Sequence, residues 1–260
     1  MLSTMTPWQA FAAATTAALA MYGAVRSAEQ PLRTTLLIAA TATAALIGAY
    51  GGAQLLNALG HFAGAGDTAA AMRHRWSLDG ALCGGACVGY ALARLFGVDP
   101  FRAADLATPA TAAGIAIARW GCFQQGCCYG RPTSLPWSVS PGWGTPAARE
   151  ALSRAPLAVF GGTPSVHPTQ LYELFVAAFI ALSSFLVLTR RRTPPGFIAT
   201  GAWASFSGWR LVNDALRSPA TLTLPATLFI HGMMLLTAIV LLAYVVRRHL
   251  ASKPLAATQP

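Results

Sequence analysis

Three long runs without a charged residue constrain this chain more than any other feature: Met1–Val25, Thr34–Gly66 and Pro219–Val246. Each can cross a hydrocarbon core of ~30 Å, which takes about 20 helical residues. Four shorter uncharged runs are Gly80–Ala93, Leu106–Ala118, Leu174–Thr189 and Thr193–Trp209. Each of these becomes a span when its bounding charge lies within the membrane edge. The expected fold is an all-α polytopic membrane protein, one integral domain over residues 1–260. Its seven transmembrane helices lie near 8–25, 34–58, 77–96, 104–121, 168–188, 196–213 and 222–246, with an outer cap loop over 122–167.

Composition agrees. Hydrophobic residues make up 55% of the chain and charged ones only 10%, with a mean hydropathy of +0.50. A soluble domain carries about 25% charged residues, so an ordinary cytosolic enzyme is excluded, and the apolar content excludes disorder. The charges are lopsided, 18 Lys+Arg against 8 Asp+Glu, and every cation except Lys253 is arginine. Such a chain suits a bilayer with anionic headgroups, because the guanidinium binds phosphate through a planar fork. Nucleic acid is not an expected partner, since no soluble segment is long enough to build a basic face. No cationic stretch precedes the first apolar run, whose first arginine is Arg26, so the beginning of the chain does not resemble a cleaved signal.

Seven spans place the two ends on opposite faces. The compact clusters Arg190–Arg191–Arg192 and Arg247–Arg248 point to the cytoplasm. The N-terminus is then expected outside and the C-terminus in the cytoplasm. The connection 122–167, rich in Pro, Gly and Trp, lies outside, and Thr193-Pro194-Pro195-Gly196 forms a tight cytoplasmic turn. Arginines left on the outer face run against the positive-inside tendency, which marks some of them for chemistry.

Three segments at that outer edge concentrate polar groups. Arg119 through Thr133 starts at a span's end and breaks into a turn spaced by Gly121, Gly126 and Gly130, with Arg131 beyond. Glycines admit a ligand close to backbone N–H groups, and flanking arginines can clamp a phosphate; a snorkelling arginine beside a Gly-rich helix end is the plainer reading. His167-Pro168-Thr169-Gln170-Leu171-Tyr172-Glu173 opens a span with proline in its first turn, and Gln170 and Glu173 share a helix face. Arg210, Asp214 and Arg217 follow i, i+4, i+7 and form one charged stripe. Charges near a membrane helix end tend to face a functional cavity, though a structural ladder fits the stripe equally. A transporter would instead place such groups near the midplane on broken helices.

The cysteines are five, Cys83, Cys87, Cys122, Cys127 and Cys128, in two clusters. Cys83 and Cys87 share a small-residue helix face with Gly84, Gly85 and Gly89, which predicts core packing. Cys122, Cys127 and Cys128 offer a loop disulfide near an oxidising face, or a thiolate at Cys127 activated by adjacent arginines. No metal is expected there, because Cys-x4-Cys-Cys without a nearby histidine fits tetrahedral spacing poorly, and no cofactor is expected elsewhere.

Together the three segments resemble the prolipoprotein diacylglyceryl transferases, polytopic bacterial enzymes of about this size. That family's Arg-x-Gly-x-Phe-x-x-Gly-x-x-x-Gly-Arg-Pro pattern is met at Arg119, Gly121, Phe123, Gly126, Gly130, Arg131 and Pro132. Its His-Pro-Ser/Thr-Gln-Leu-Tyr-Glu motif is met in full at 167–173, and its Arg-x-x-x-Glu-x-x-Arg stripe at Arg210 and Arg217, with Asp214 shorter by one methylene. Tyr22-Gly23 matches an early Tyr-Gly. Three positions depart from the family: Asp79 replaces the histidine of a His-Gly-Gly, Cys122 an asparagine and Cys127 a glutamate. In these the chain is similar to a Gly-Cys-Cys branch of family-like sequences.

The resemblance implies transfer of the diacylglyceryl group of phosphatidylglycerol to the lipobox cysteine of a prolipoprotein, releasing glycerol phosphate. The acceptor must attack as a thiolate, and charge developing on the phosphate must be stabilised. On that reading Arg119 holds the lipid phosphate, with Gly121, Gly126, Gly130, Arg131 and Tyr22 beside it. Arg210 acts at the reacting end, while Asp214, Arg217, Gln170 and Tyr172 orient it. His167, Glu173 and Asp79 are the candidate proton carriers. The three departures leave open a different acceptor, or a non-catalytic lipid-binding or thiol-redox membrane protein on the same scaffold.

Overall fold

The computed structural model describes residues 48, 50–52, 54–55, 78–154, 163, 165–190, 193–218 and 224–251. The first expected span and most of the second lie outside these, as does Tyr22. Among the described residues the architecture is helical: α1 (Leu78–Leu95), α2 (Pro100–Gln125), α3 (Pro146–Arg154), α4 (Thr169–Arg190), α5 (Phe197–Leu216) and α6 (Leu224–Ala251). No strand is present there, only isolated bridges that tie the connection after α2 to Val166 and Arg217. The all-α expectation holds.

Two helices are long and apolar enough to cross a membrane, through Thr169–Thr189 and Leu228–Ala251. Only 22% and 17% of those apolar stretches is buried within the protein. Phe175, Phe179, Leu182 and Phe185 on α4, and Phe229, Leu236, Ile239 and Val240 on α6, face outward. A soluble protein would bury such side chains at roughly 1.5–3 kcal/mol each, so this surface is suited to lipid.

Helix ends follow local chemistry. Asp99 caps α2 by accepting from the Phe101 amide, and Pro100 occupies the first helical position, where a missing N–H costs nothing. Gly126 stops α2 in the left-handed conformation, φ 62°, its amide donating to the Phe123 carbonyl. α2 therefore runs past both charges that bound the uncharged run Leu106–Ala118, Asp105 and Arg119. The connection to α4 folds as a cap, and α3 within it is a helix that the sequence reading did not anticipate.

The core lies between α2, α4 and α5, where Ala112, Ile115 and Ala116 meet Ala177, Ile180 and Phe206. Small residues let the first two of these helices approach closely. At the end remote from the cap, the fully buried Asp105 of α2 accepts hydrogen bonds from the amides of Gly196 and Ala199, both at 2.8 Å. It thereby satisfies the first orphan donors of α5 just after the 193–196 turn. Small-residue packing on α1 falls on Gly84 rather than on the cysteines. A Cβ there would sit 2.2 Å from the Gly48 carbonyl oxygen and 2.8 Å from the Gly52 Cα. Cys83 and Cys87 are exposed, which corrects the expectation of core packing: the helix turns its glycine, not its thiols, into the contact.

Candidate active site

Antiparallel helices bring one end of each to a common place. Asp79 stands at the start of α1, Arg119 near the end of α2, Glu173 one turn into α4, Arg210 to Arg217 at the end of α5, and His231 early in α6. These are the positions where the sequence spends its few charges, and the structure buries nearly all of them. Arg119, Glu173, Arg210, Asp214, Arg217 and His231 are each at most 8% exposed.

Buried ions persist only when paired and hydrogen-bonded, and these form one network. Glu173 lies between two guanidiniums: Arg119 Nη2 is 2.8 Å from Oε1 and Arg210 Nη1 is 3.0 Å from Oε2. Asn213 Nδ2 donates to Oε2 at 3.2 Å. Asp214 Oδ1 contacts Arg210 Nη2 at 3.5 Å and Arg217 Nη1 at 3.4 Å, so the i, i+4, i+7 stripe exists as read. Its other oxygen lies 2.8 Å from His231 Nδ1, and His231 Nε2 lies 3.1 Å from Asp79 Oδ1. Asp79 is the most accessible member of this chain of groups, with its side chain 17% exposed.

Chemically, two guanidiniums converging on one anion make a fork that accepts a phosphate as readily as a carboxylate. The Asp79–His231–Asp214 line pairs an imidazole at both nitrogens, an arrangement that holds or passes a proton. His231 was not anticipated. It sits alone within the uncharged run Pro219–Val246, and the signal available was only that a polar side chain in a membrane helix needs a partner. Asn213 was missed in the same way, hidden inside the Arg210–Arg217 segment.

Other expected residues fall elsewhere. The His167 ring bonds the Tyr172 hydroxyl through Nδ1 at 3.3 Å, and Trp137 Nε1 donates to the same hydroxyl at 2.8 Å. These three form a hydrogen-bonded group of their own, joining the cap to the start of α4. Arg131 is exposed and donates through Nε to the Arg217 carbonyl. Gly121 is buried in the last turns of α2. The Gly130 amide donates to the His167 carbonyl, and a Cβ on Gly130 would lie 2.5 Å from His167 Cβ. The amides of Gly126 and Gly130 are thus used within the protein, and both glycines shape the cap.

The cap is bound to the helix ends at several points. Tyr129 and Ser218 both hydrogen-bond the Glu150 carboxylate of α3. Gln170 Nε2 donates to the Cys127 carbonyl at 2.6 Å, and Thr169 Oγ1 to the Cys128 carbonyl at 2.7 Å. So the start of α4 positions the cysteine turn while Glu173, one helical turn on, joins the charge network. Cys122, Cys127 and Cys128 carry free thiols, and Arg119 Nη1 lies 3.9 Å from Cys122 Sγ. Beyond the helix end, hydrogen bonds from Cys122 and Cys127 hold the Cys128 thiol well below its ordinary range, and the nearby Arg217 and Arg119 act in the same direction. Hydrogen bonding within the same trio pushes Cys127 upward.

Comparison with known proteins points one way. The family model described as prolipoprotein diacylglyceryl transferase matches residues 5–248. A Gloeobacter violaceus protein named phosphatidylglycerol–prolipoprotein diacylglyceryl transferase is 33% identical over 142 residues, 54% of this chain and 49% of its own. One of the same name from Trichormus variabilis is 32% identical over 154 residues, 57% of this chain and 51% of that one. Another, from Photobacterium profundum, is 27% identical over 119 residues, covering 46% and 38%. The chain thus spans about half the length of the curated relatives it matches or less. With the family match covering nearly all of its residues and the buried arginine network built from the same motifs, the chain belongs to the prolipoprotein diacylglyceryl transferase family.

Proposed function

We propose that this protein transfers the diacylglyceryl group of phosphatidylglycerol to the lipobox cysteine thiol of a prolipoprotein. The observation that carries this reading is the convergence of Arg119 and Arg210 on one buried anion, the Glu173 carboxylate. A phosphodiester presents the same charge and the same pair of acceptor oxygens. Arg119 holds it, and Arg210 stabilises the charge that grows on the bridging oxygen. In the reaction the acceptor sulfur bonds to the glyceryl carbon as that carbon's bond to the phosphate oxygen breaks. Glycerol phosphate leaves with the electron pair. Asp214 and Arg217 keep Arg210 in place, and Gln170 fixes the cysteine turn beside Arg119.

The thiol proton passes to the Asp79–His231 pair. Asp79 offers its carboxylate at the accessible end, His231 backs it, and Asp214 orients the imidazole from behind. An imidazole arriving from α6 thus supports the position where family members carry a histidine. His167, bonded to Tyr172, shapes the cap instead of carrying the proton.

On this reading the chain has seven spans in the bacterial cytoplasmic membrane, N-terminus outside and C-terminus inside, with the site toward the outer face. Support comes from the alternating directions of α1, α2, α4, α5 and α6 and from the cap that covers the site end. Arg94, Arg102, Arg190, Arg247 and Arg248 gather at the opposite ends of these helices, as positive-inside ordering requires.

The test is purified protein in phosphatidylglycerol vesicles with a lipobox peptide, scored by mass spectrometry for diacylglyceryl on the peptide cysteine. Modified peptide, lost in Arg119→Ala, supports the proposal. Unmodified peptide, in vesicles where an active family member succeeds, rejects this acceptor; the vesicle lipids then show whether phosphatidylglycerol was cleaved for another.

A further inference from the structure

The structure assigns the Cys122, Cys127 and Cys128 trio as a binding site for one thiophilic metal ion of closed-shell type, zinc(II) or copper(I), at the foot of the cap. The Sγ atoms of the three lie within 4.8 Å of one another. Three thiolates on one ion at ~2.3 Å sit roughly 3.8 Å apart, so side-chain rotation alone closes the set. Thiolate donors select these soft ions over oxygen-preferring ones such as magnesium or calcium.

Read along the chain, the spacing argued against a metal, because Cys-x4-Cys-Cys does not match tetrahedral patterns on regular structure. The fold changes that count. Cys122 is buried in the last turn of α2, and Gly126 reverses the chain in the left-handed conformation. The Cys127 amide then returns to the Cys122 carbonyl, and the Cys127 thiol donates to that same oxygen at 3.6 Å. Cys128 also takes a positive φ of 58°, unusual for a residue with a side chain. This backbone keeps all three thiols on one side of the turn.

Two further features suit a ligand set. Gln170 and Thr169 hold the carbonyls of Cys127 and Cys128, so the donors are fixed by the start of α4 before any ion arrives. Such support of first ligands by outer hydrogen bonds tunes metal sites generally. Arg119, 3.9 Å from Cys122 Sγ, offsets the net negative charge that three thiolates leave on a mono- or divalent ion. Copper(I) is satisfied by three sulfurs. Zinc(II) takes a fourth, exogenous donor, as in sites with three protein ligands. The proposal stands independently of the transfer reaction.

The experiment uses the full chain in detergent, reduced with a phosphine, and titrates it separately with zinc sulfate and with copper(I) under anaerobic conditions. Bound metal is counted after desalting, and every cysteine is mapped by maleimide labelling and mass spectrometry. The expected result is one ion per chain. Cys122, Cys127 and Cys128 become protected together by at least tenfold in labelling rate, while labelling of Cys83 and Cys87 is unchanged by metal. Saturation by zinc alone, copper alone or both supports the site and names its ion. Cys122→Ser, Cys127→Ser and Cys128→Ser should each weaken binding tenfold or more, and Cys83→Ser/Cys87→Ser should not. Failure of both ions to bind overturns the proposal, as does binding that leaves any of the three thiols unprotected or survives in the triple serine variant. The labelling pattern on the unaltered chain keeps the test valid where a serine variant fails to fold.

Discussion

Arg119 and Glu173 meet at 2.8 Å across α2 and α4, and the carboxylate that joins them reaches Arg210 on α5 with its other oxygen at 3.0 Å. One side chain therefore ties three helices together and, on the proposed function, marks where the phosphate of the departing glycerol phosphate binds. Arg119→Ala should lower the transfer rate by about a hundredfold or more, roughly 3 kcal/mol, the scale of losing one preorganised donor to a developing anion. The check is the vesicle assay under saturating phosphatidylglycerol.

Glu173→Ala tests the other partner. It leaves two buried guanidiniums facing each other, and removing one member of a buried ion pair costs about 3–5 kcal/mol. The variant should unfold at a markedly lower temperature in detergent. Added phosphate or a short-chain phosphatidylglycerol should restore part of that loss by supplying the missing anion. A variant as stable as the parent would show that the network contributes nothing to the fold.

Asp79 and His231 act as one unit if the proton path is as drawn. Asp79→Asn and His231→Gln should each reduce turnover by about 10²–10⁴-fold, the range of a lost general base. The double variant should be no worse than the poorer single one, since coupled groups are non-additive. Additive losses in a double-mutant cycle would separate the two roles.

Asp105, at the far end of α2, holds the start of α5. Replacing it with alanine leaves the amides of Gly196 and Ala199 unsatisfied and should cost about 1–3 kcal/mol of stability. Thermal unfolding should register the change, while the transfer rate at a temperature well below the transition stays at the parental value.

Gly130→Ala should loosen the cap, because its Cβ would lie 2.5 Å from His167 Cβ and 2.7 Å from the His167 carbonyl oxygen. Overpacking of this kind costs about 1–3 kcal/mol. Protease cleavage within 132–145 should speed up. Gly142→Ala serves as the control, since a Cβ there has ordinary contact at 3.9 Å.

Much of this architecture is legible from uncharged run length and from the motif strings. The 77–96, 168–188 and 222–246 expectations fall within a few residues of α1, α4 and α6, because a membrane helix is delimited by where polar groups become affordable. α2 extends beyond the 104–121 expectation at each end. Arg119 is paired and buried, so its charge does not mark a boundary, and α2 continues to the left-handed turn at Gly126. Arg119, Glu173, Arg210 and Asp214 are found from sequence because each stands in a dense polar string. His231 is not, since one imidazole in an apolar run has no local signature and acquires its meaning only from Asp79 and Asp214, each on another helix. Cys122, Cys127 and Cys128 stand out in the sequence as a disulfide or thiolate group, but the gathering of all three sulfurs does not, since spacing along a chain says little about side chains that a left-handed turn brings back together.

The buried network contains three arginines, Arg119, Arg210 and Arg217, against three carboxylates, Glu173, Asp214 and Asp79. Counted without the imidazole, these formal charges cancel, three against three, so the site is already its own salt. On the proposed function an entering phosphodiester makes one negative charge too many, and the surplus is relieved only when a proton is taken up with it, by His231 or by Glu173 as that carboxylate gives up its arginines. If the site takes phosphatidylglycerol as proposed, capture is an ion-exchange event, in which the arriving headgroup competes with a tethered counterion, the Glu173 carboxylate. On that proposal the tethered rival would keep the guanidiniums from holding glycerol phosphate after transfer, and so would favour release of the product into water.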